Sequence, residues 1–211
     1  MKISVIIPAL NEARELPETI ARIVGAHEII VADGGSDDGT RDIKGVTVID
    51  APRGRASQMN AGAAIATADI FLFLHADTWL QPGCLAALNK AMENHAFIGG
   101  AFERRFRANS LFLQATCALA TFRNRTIGWH LGDQAIFCRA EIFRQLGGFA
   151  SMRAFEDVDF SRRLARTGKL VMLRPPVLSS ARRFEQGAMK RTAKDLILTM
   201  RYLLRPNEFR V

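Results

Sequence analysis

Three short segments carry side chains whose types and spacing could bind a cation or move a proton. Phe71-Leu72-Phe73-Leu74-His75-Ala76-Asp77-Thr78 is an apolar run that ends in an imidazole and a carboxylate two residues apart. In an extended chain that spacing puts both on one side. With oxygens of a diphosphate completing the shell, the pair would hold Mn²⁺ or Mg²⁺. A helix cap at Asp77 or Thr78 behind a lone histidine is the plainer account of the same residues. Phe155-Glu156-Asp157-Val158-Asp159-Phe160 sets three carboxylates among apolar neighbours. In a first helical turn each would gain about 0.3–1 kcal/mol from the helix dipole. A carboxylate beside another and against phenyl rings also binds a proton more tightly, which suits a general base. Val31-Ala32-Asp33-Gly34-Gly35-Ser36-Asp37-Asp38-Gly39-Thr40 ends an apolar run in an acid, then turns on glycines. There Asp33 can accept from a ribose or a base N–H, or simply shape the turn.

Positioning such groups requires a sheet. Apolar, β-branched runs predict strands at Lys2–Ile7, Glu28–Ala32, Val46–Asp50 and Asp69–Leu74. Helical patterns follow at Glu12–Val24, Asp37–Ile43, Ala56–Ala66 and Pro82–His95. Strand–helix alternation with apolar strands means a parallel sheet covered on both faces. Right-handed crossovers gather the strand C-terminal ends along one rim, where ligands of open α/β sheets bind. Asn11 and Glu12, Asp33, Arg53 to Arg55, and His75 with Asp77 each follow one of these strands. The first turn, Pro8-Ala9-Leu10-Asn11-Glu12, lacks GxGxxG, which disfavours a dinucleotide site.

The second half breaks the alternation. It predicts a strand at Phe97–Phe106, a helix at Ser110–Arg123, a strand at Gln134–Cys138 and a helix at Ala140–Leu146. A helix then begins near Glu156, strands follow at Leu170–Leu173 and Val177–Ala181, and an amphipathic helix closes the chain. With no linker between them, residues 1–100 and 101–211 read as two halves of one domain: a nucleotide-type, parallel-rich α/β half and an α+β half.

Composition narrows the partners. Of 29 Lys+Arg and 21 Asp+Glu, residues 1–100 hold 8 and 12 (net −4), and residues 101–211 hold 21 and 9 (net +12). The basic half lacks an aromatic stacking platform, so nucleic acid is disfavoured against an anionic small molecule, an anionic lipid surface or a solvated basic face. Cys84, Cys117 and Cys138 form no metal-ligand spacing and read as free thiols. No secretory leader or bilayer-length apolar run stands out, so the expectation is a cytoplasmic protein, at most peripheral to the inner face of the membrane. In the last helix, Ala193, Leu196, Ile197, Met200, Leu203 and Leu204 share one side, against Lys190, Arg191, Lys194, Arg201 and Arg205. Packing of that apolar side on the sheet is expected ahead of weak membrane contact.

Taken in order, Ser4-Val5-Ile6-Ile7-Pro8-Ala9-Leu10-Asn11-Glu12, the Asp33 turn, Gly54-Arg55 with Asn60 and Gly62, His75-Ala76-Asp77, Gly132-Asp133-Gln134, and Gly147-Gly148-Phe149 ahead of Glu156-Asp157 resemble family 2 glycosyltransferases of the GT-A fold. The resemblance is nearest to short bacterial members, some described as arsenosugar-type. It implies that Pro8, Glu12 and Asp33 line a nucleotide pocket with Arg55 and Asn60 close by. It also implies that Gly100, Asp133, Gln134 and Arg183 belong to the nucleotide-sugar site. Asp77 would hold the metal, with His75 where an acid is usual in the family. Asp157 would be the general base, with Glu156 beside it. The implied reaction is inverting transfer of a sugar from a nucleotide diphosphate to a hydroxyl of a small or lipid-linked acceptor, with Arg182 or Arg183 helping the diphosphate leave. A nucleotidyltransferase or a non-catalytic nucleotide-sugar-binding protein are the rival readings.

Overall fold

The computed structural model describes residues 1–127, 129–184 and 188–210. Its elements run β1 (Ile3–Ala9), α1 (Leu16–Ala21), β2 (Glu28–Asp33), β3 (Thr47–Asp50), α2 (Arg55–Ile65), β4 (Ile70–Phe73), β5 (Thr78–Trp79) and α3 (Cys84–Met92). They continue with β6 (Phe97–Phe106), α4 (Leu111–Ile127), β7 (Ile136–Arg139), α5 (Ala140–Gln145), α6 (Glu156–Thr167), β8 (Lys169–Ser179) and α7 (Ala188–Leu204).

One sheet crosses both halves, in the order β3-β2-β1-β4-β7-β6-β8-β5. β1, β2, β3 and β4 pair in parallel; β7 joins antiparallel to both β4 and β6, and β6 and β8 are again parallel. The predicted parallel-rich α/β sheet is therefore present, and the α+β half extends it.

Strand residues alternate between the two faces, as the extended chain requires. Val5, Ile7, Leu72 and Leu74 enter one core with Leu16, Leu88, Phe102 and Phe137. Ile6, Phe71 and Phe73 enter the other with Met59, Phe143, Phe149 and Phe160. In that second core the Phe149 and Phe160 rings lie 4.5 Å apart, and Phe73 meets Phe149 edge-on at 4.8 Å. Burial on both faces is why these strands read as continuous apolar runs.

The structure corrects several expected elements. The helix expected at Asp37–Ile43 is a single 3₁₀ turn, Thr40–Asp42, because Gly39 takes φ +89° and Asp38 binds the backbone N–H of Thr40 at 3.0 Å. The first helix shortens to Leu16–Ala21, with Pro17 in its first turn. The two strands expected near the end of the sheet are one, β8, which passes through Pro175 and Pro176 where its register against β6 shifts.

From β1 the chain builds outward through β2 and β3, then returns to place β4 on the other side of β1. Loops leaving β1 and β4 diverge at that reversal, and the crevice between them is where an open α/β sheet takes its ligand.

Candidate active site

A cleft of about 300 Å³ lies at this reversal. The loop after β1 supplies Pro8 and Glu12, the start of α2 supplies Arg53, Gly54 and Arg55, and the loop after β4 supplies His75 and Asp77, with Arg182 across the mouth. Gly54 caps α2 at φ +131°, outside the range other residues adopt easily, so the chain can turn from β3 into the helix. The N-terminus of α2 and three arginines, Arg53, Arg55 and Arg182, thus border the same space, a combination that favours an anion.

A second cleft of about 280 Å³ shares Arg55, His75 and Asp77 with the first. Its other walls include Arg104, Asp133, Asp157 and Ser180, closed by Phe106, Phe155 and Phe184. Arg104, in the charged Glu103-Arg104-Arg105 run of β6, and Ser180 carried no pattern that singled them out.

Charges in the clefts are tightly paired. Arg182 Nη2 donates to Glu12 Oε1 and stands 3.2 Å from Asp77 Oδ2. The Glu12 contact, stronger than the opposing burial, holds the Arg182 guanidinium above its ordinary pKa. Arg55 Nε reaches Glu156 Oε1 at 2.7 Å, and Arg104 pairs with Asp133. Burial, the largest influence on Arg104, would lower its pKa; the Asp133 charge and hydrogen bond together with the Cys117 contact outweigh it, and the net direction is upward. Burial, then the nearby Arg55 charge, depresses the His75 pKa against the pull of Asp133, Asp77 and Asp157. A depressed His75 is a neutral imidazole with a lone pair to offer.

Asp157 is held from both sides. The Gly132 N–H donates to its Oδ2 at 2.6 Å and the Val158 N–H to its Oδ1 at 2.7 Å. Gly132 must be glycine, since a Cβ there would sit 2.5 Å from His75 Nε2 and 3.3 Å from Asp157 Oδ2. His75 and Asp157, 82 residues apart in sequence, therefore close on the same glycine.

Glu156 lies beneath this surface, 3% exposed, behind Arg55. Burial first, then the Asp157 charge, raises its pKa, and the Arg55 pair only partly opposes them. The raised proton affinity expected of this acidic segment thus appears at Glu156. A carboxyl whose folded pKa is raised adds stability below its unfolded pKa and loses it as pH rises through the folded value. Glu156→Gln should therefore gain stability relative to wild type as pH rises from about 4 to 8, across and above the ordinary glutamate range. Urea midpoints measured along that series check it; a difference that shrinks with pH would mean that the ion pair with Arg55 outweighs burial.

Other residues expected at the site make local contacts. Asp33 is fully buried, with Oδ2 accepting the N–H groups of Gly35 at 3.0 Å and Ser36 at 2.9 Å. Arg41, just past the turn, stands 3.9 Å from the same oxygen. Asn60 grips Phe149, accepting its N–H and donating to its C=O, both at 2.9 Å. Gln134 accepts from Asn124 at 2.7 Å and from the Leu131 N–H at 3.0 Å. Gly100 sits inside the sheet, where a Cβ would meet Val171 O at 1.9 Å. None of these four lines either cleft. The side chain of Arg183 lies outside the described residues.

One support escaped the sequence reading. Gln58 is buried beneath the first cleft and donates to the carbonyls of Ala9 at 2.6 Å and Ala32 at 2.9 Å, tying the ends of β1 and β2. An amide on the core-facing side of α2, beside Met59, was the available signal.

Among the described residues no three His, Cys, Asp or Glu side chains are grouped to cage a metal ion. His75 and Asp77 supply two donors, a number suited to a cation whose remaining ligands come from substrate phosphates and water. Two buried carboxylate oxygens at the clefts, Glu12 Oε2 and Asp133 Oδ1, have no hydrogen-bond partner. The donor chemistry thus fits an oxygen-preferring divalent ion.

Residues 4–147 match the family model described as glycosyl transferase family 2, and the chain belongs to that family. Among its relatives are an undecaprenyl-phosphate 4-deoxy-4-formamido-L-arabinose transferase of Klebsiella pneumoniae, 30% identical over 87% of this chain and 61% of the relative, and a pre-mycofactocin glycosyltransferase of Mycobacterium tuberculosis, 27% identical over 83% and 42%. The mannosyltransferase PcManGT of Pyrobaculum calidifontis, solved with GDP-Man and Mn²⁺, superposes with a TM-score of 0.72 at 19% identity over 97% of this chain and 64% of that one. Staphylococcus aureus TarS in complex with UDP gives 0.65 at 16% over 86% and 61%. These likenesses establish a GT-A-type fold. They do not distinguish the arsenosugar-type subgroup, and the chain spans about three fifths of the arabinose transferase's length.

Proposed function

We propose that the protein is an inverting glycosyltransferase that moves a sugar from a nucleotide diphosphate to an acceptor hydroxyl. The observation that carries this reading is the meeting of two clefts on Arg55, His75 and Asp77, with Asp157 in the second alone. The first would take the nucleotide diphosphate, against Pro8, Glu12 and the start of α2. The second would take the acceptor. The sugar would cross the shared residues, with its anomeric carbon between diphosphate and acceptor oxygen.

In this arrangement Asp157 takes the proton of the acceptor hydroxyl as its oxygen bonds to the anomeric carbon. The bond from that carbon to the diphosphate breaks on the opposite face, and its electron pair leaves with the nucleoside diphosphate. Hydrogen bonds from Gly132 and Val158 fix the carboxylate in place for this step. Arg182 would exchange its carboxylates for diphosphate oxygens and offset their growing charge. A Mn²⁺ or Mg²⁺ ion held by Asp77 and His75, when bound, would supply further neutralisation of the leaving group. Fold neighbours solved with UDP and with GDP-Man and Mn²⁺ support a nucleotide-sugar donor and a divalent cation. The similarity to a transferase named for undecaprenyl phosphate supports a lipid-linked acceptor.

Incubation of UDP- and GDP-sugars with hydroxyl acceptors tests the reading. Free UDP or GDP should appear with acceptor present, and the new glycosidic bond should have the anomeric configuration opposite to the donor's. Pyrophosphate release would support a nucleotidyltransferase instead; nucleotide-sugar binding without turnover would support a non-catalytic role.

Nucleotide binding should also depend on Asp77. UDP or GDP with Mn²⁺ should raise the melting temperature of the wild type through mass action, by about 2.7 kcal/mol of stabilisation at a hundredfold excess over Kd. Asp77→Ala should lose the metal-linked part of that rise. Equal stabilisation of the wild type in excess chelator would remove the metal role from His75 and Asp77.

A further inference from the structure

Two helices face the wrong way for a fully solvated protein. Of the eleven exposed large apolar side chains among the described residues, eight lie on α4 and α7, four on each. On α4 the helical period puts Leu111, Phe112, Ala115, Ala118, Leu119 and Phe122 on one outward arc, and all six are exposed. No charged residue interrupts it. Leu113 and Cys117, on the opposite side, are buried.

α7 is inverted in the same manner. Leu198 and Tyr202 pack with Phe155 and Phe209, while Asp195 and Thr199 line the second cleft. Its most apolar arc, Ile197, Met200, Leu203 and Leu204, points outward, with Leu204 79% exposed. This overturns the expectation that the arc packs on the sheet; the side chains of Ala193 and Leu196 lie outside the described residues. Exposed Lys194, Arg201 and Arg205 border the arc on one edge. Glu208 pairs with the two arginines, leaving that edge net positive.

Both helices also flank Phe106. The groove along α4 and the second cleft share Arg104 and Phe106 in their walls. The two helices therefore border adjoining clefts that meet at these two side chains.

We propose that α4 and α7 dock the protein on an anionic lipid bilayer. An outward apolar arc bordered by basic residues is the form of a helix lying in a membrane interface. The net charge of +12 over residues 101–211 complements anionic headgroups. Among the described residues no helix is long and apolar enough to cross a membrane, so insertion would be shallow and reversible. A lipid-linked acceptor would then meet the second cleft at the bilayer surface. Docking itself does not depend on the transferase reading, because it is measured without turnover.

The experiment is co-sedimentation of the full chain with phosphatidylcholine vesicles, with and without phosphatidylglycerol, at low and high salt. The protein should sediment with anionic vesicles at low salt and be released from them by high salt. The pairs Leu119→Ser with Phe122→Ser, and Ile197→Ser with Met200→Ser, should each abolish sedimentation while leaving the melting temperature unchanged. A wild type that stays in the supernatant, or sediments equally with neutral vesicles, overturns the proposal, as does retained binding in both pairs. Light scattering across a concentration series covers the other occupant: a dimer dissociated by the same substitutions would assign the arcs to a second copy of the chain.

Discussion

Asp157→Asn should lower turnover by about two to four orders of magnitude while leaving nucleotide binding intact. The amide keeps the size of the carboxylate and one acceptor oxygen for the Gly132 N–H, losing only the contact with the adjacent Val158 N–H, so the start of α6 should hold its place. What it loses is the capacity to take a proton. Steady-state kinetics with saturating donor, alongside nucleotide binding by thermal shift, separates the two effects. Turnover like wild type would move the base elsewhere, to Asp133 first; Asp77 and Asp195 are the other carboxylates in the wall of the second cleft. Loss of folding would show that the acidic residues serve mainly to start the helix.

Gly100→Ala should fail earlier, at folding. Its Cβ would approach Val171 O to 1.9 Å, the Val171 carbonyl carbon to 2.9 Å and Phe137 Cζ to 3.0 Å. Two of these are backbone atoms of the adjoining strand and cannot rotate away. Overpacking commonly costs about 1–3 kcal/mol, and a clash with strand backbone belongs at or above the top of that range. The urea midpoint should fall accordingly, and the variant is expected to express poorly. A variant as stable as wild type but with a raised donor KM would return Gly100 to a role beside the sugar.

The case of Gly100 shows where the sequence was legible. A glycine pair in a strand signals close approach, but not what approaches. Here it is β8, whose partnership with β6 spans some seventy residues and leaves no local mark. Asp33 is similar: the pattern marks an acid at a turn, and only the fold shows which neighbours, Gly35, Ser36 and Arg41, stand around it. By contrast, β1 and β4 with their trailing Pro8, Glu12, His75 and Asp77 were readable, since burial on both faces leaves uninterrupted apolar runs and the chemistry begins where those runs end. The direction of α7 was not readable. Helical periodicity finds two sides and gives the apolar one to the core by default. It had no means of seeing that Tyr202 and Leu198 would anchor the opposite side against Phe155 and Phe209.

Asn60 offers a last lesson in alignment. Its amide spans two pieces of chain made separately, the helix that carries Arg55 and the turn that leads to Asp157. Donating and accepting at the same residue, it fixes both spacing and tilt, much as a dowel does where a single pin would allow pivoting. The fit is close enough that Gly148, next to its partner, has no room for a methyl group: a Cβ there would lie 2.6 Å from Asn60 Oδ1. Donor side and acceptor side are thus held in register by an amide and a glycine 88 residues apart, neither of which lines a cleft.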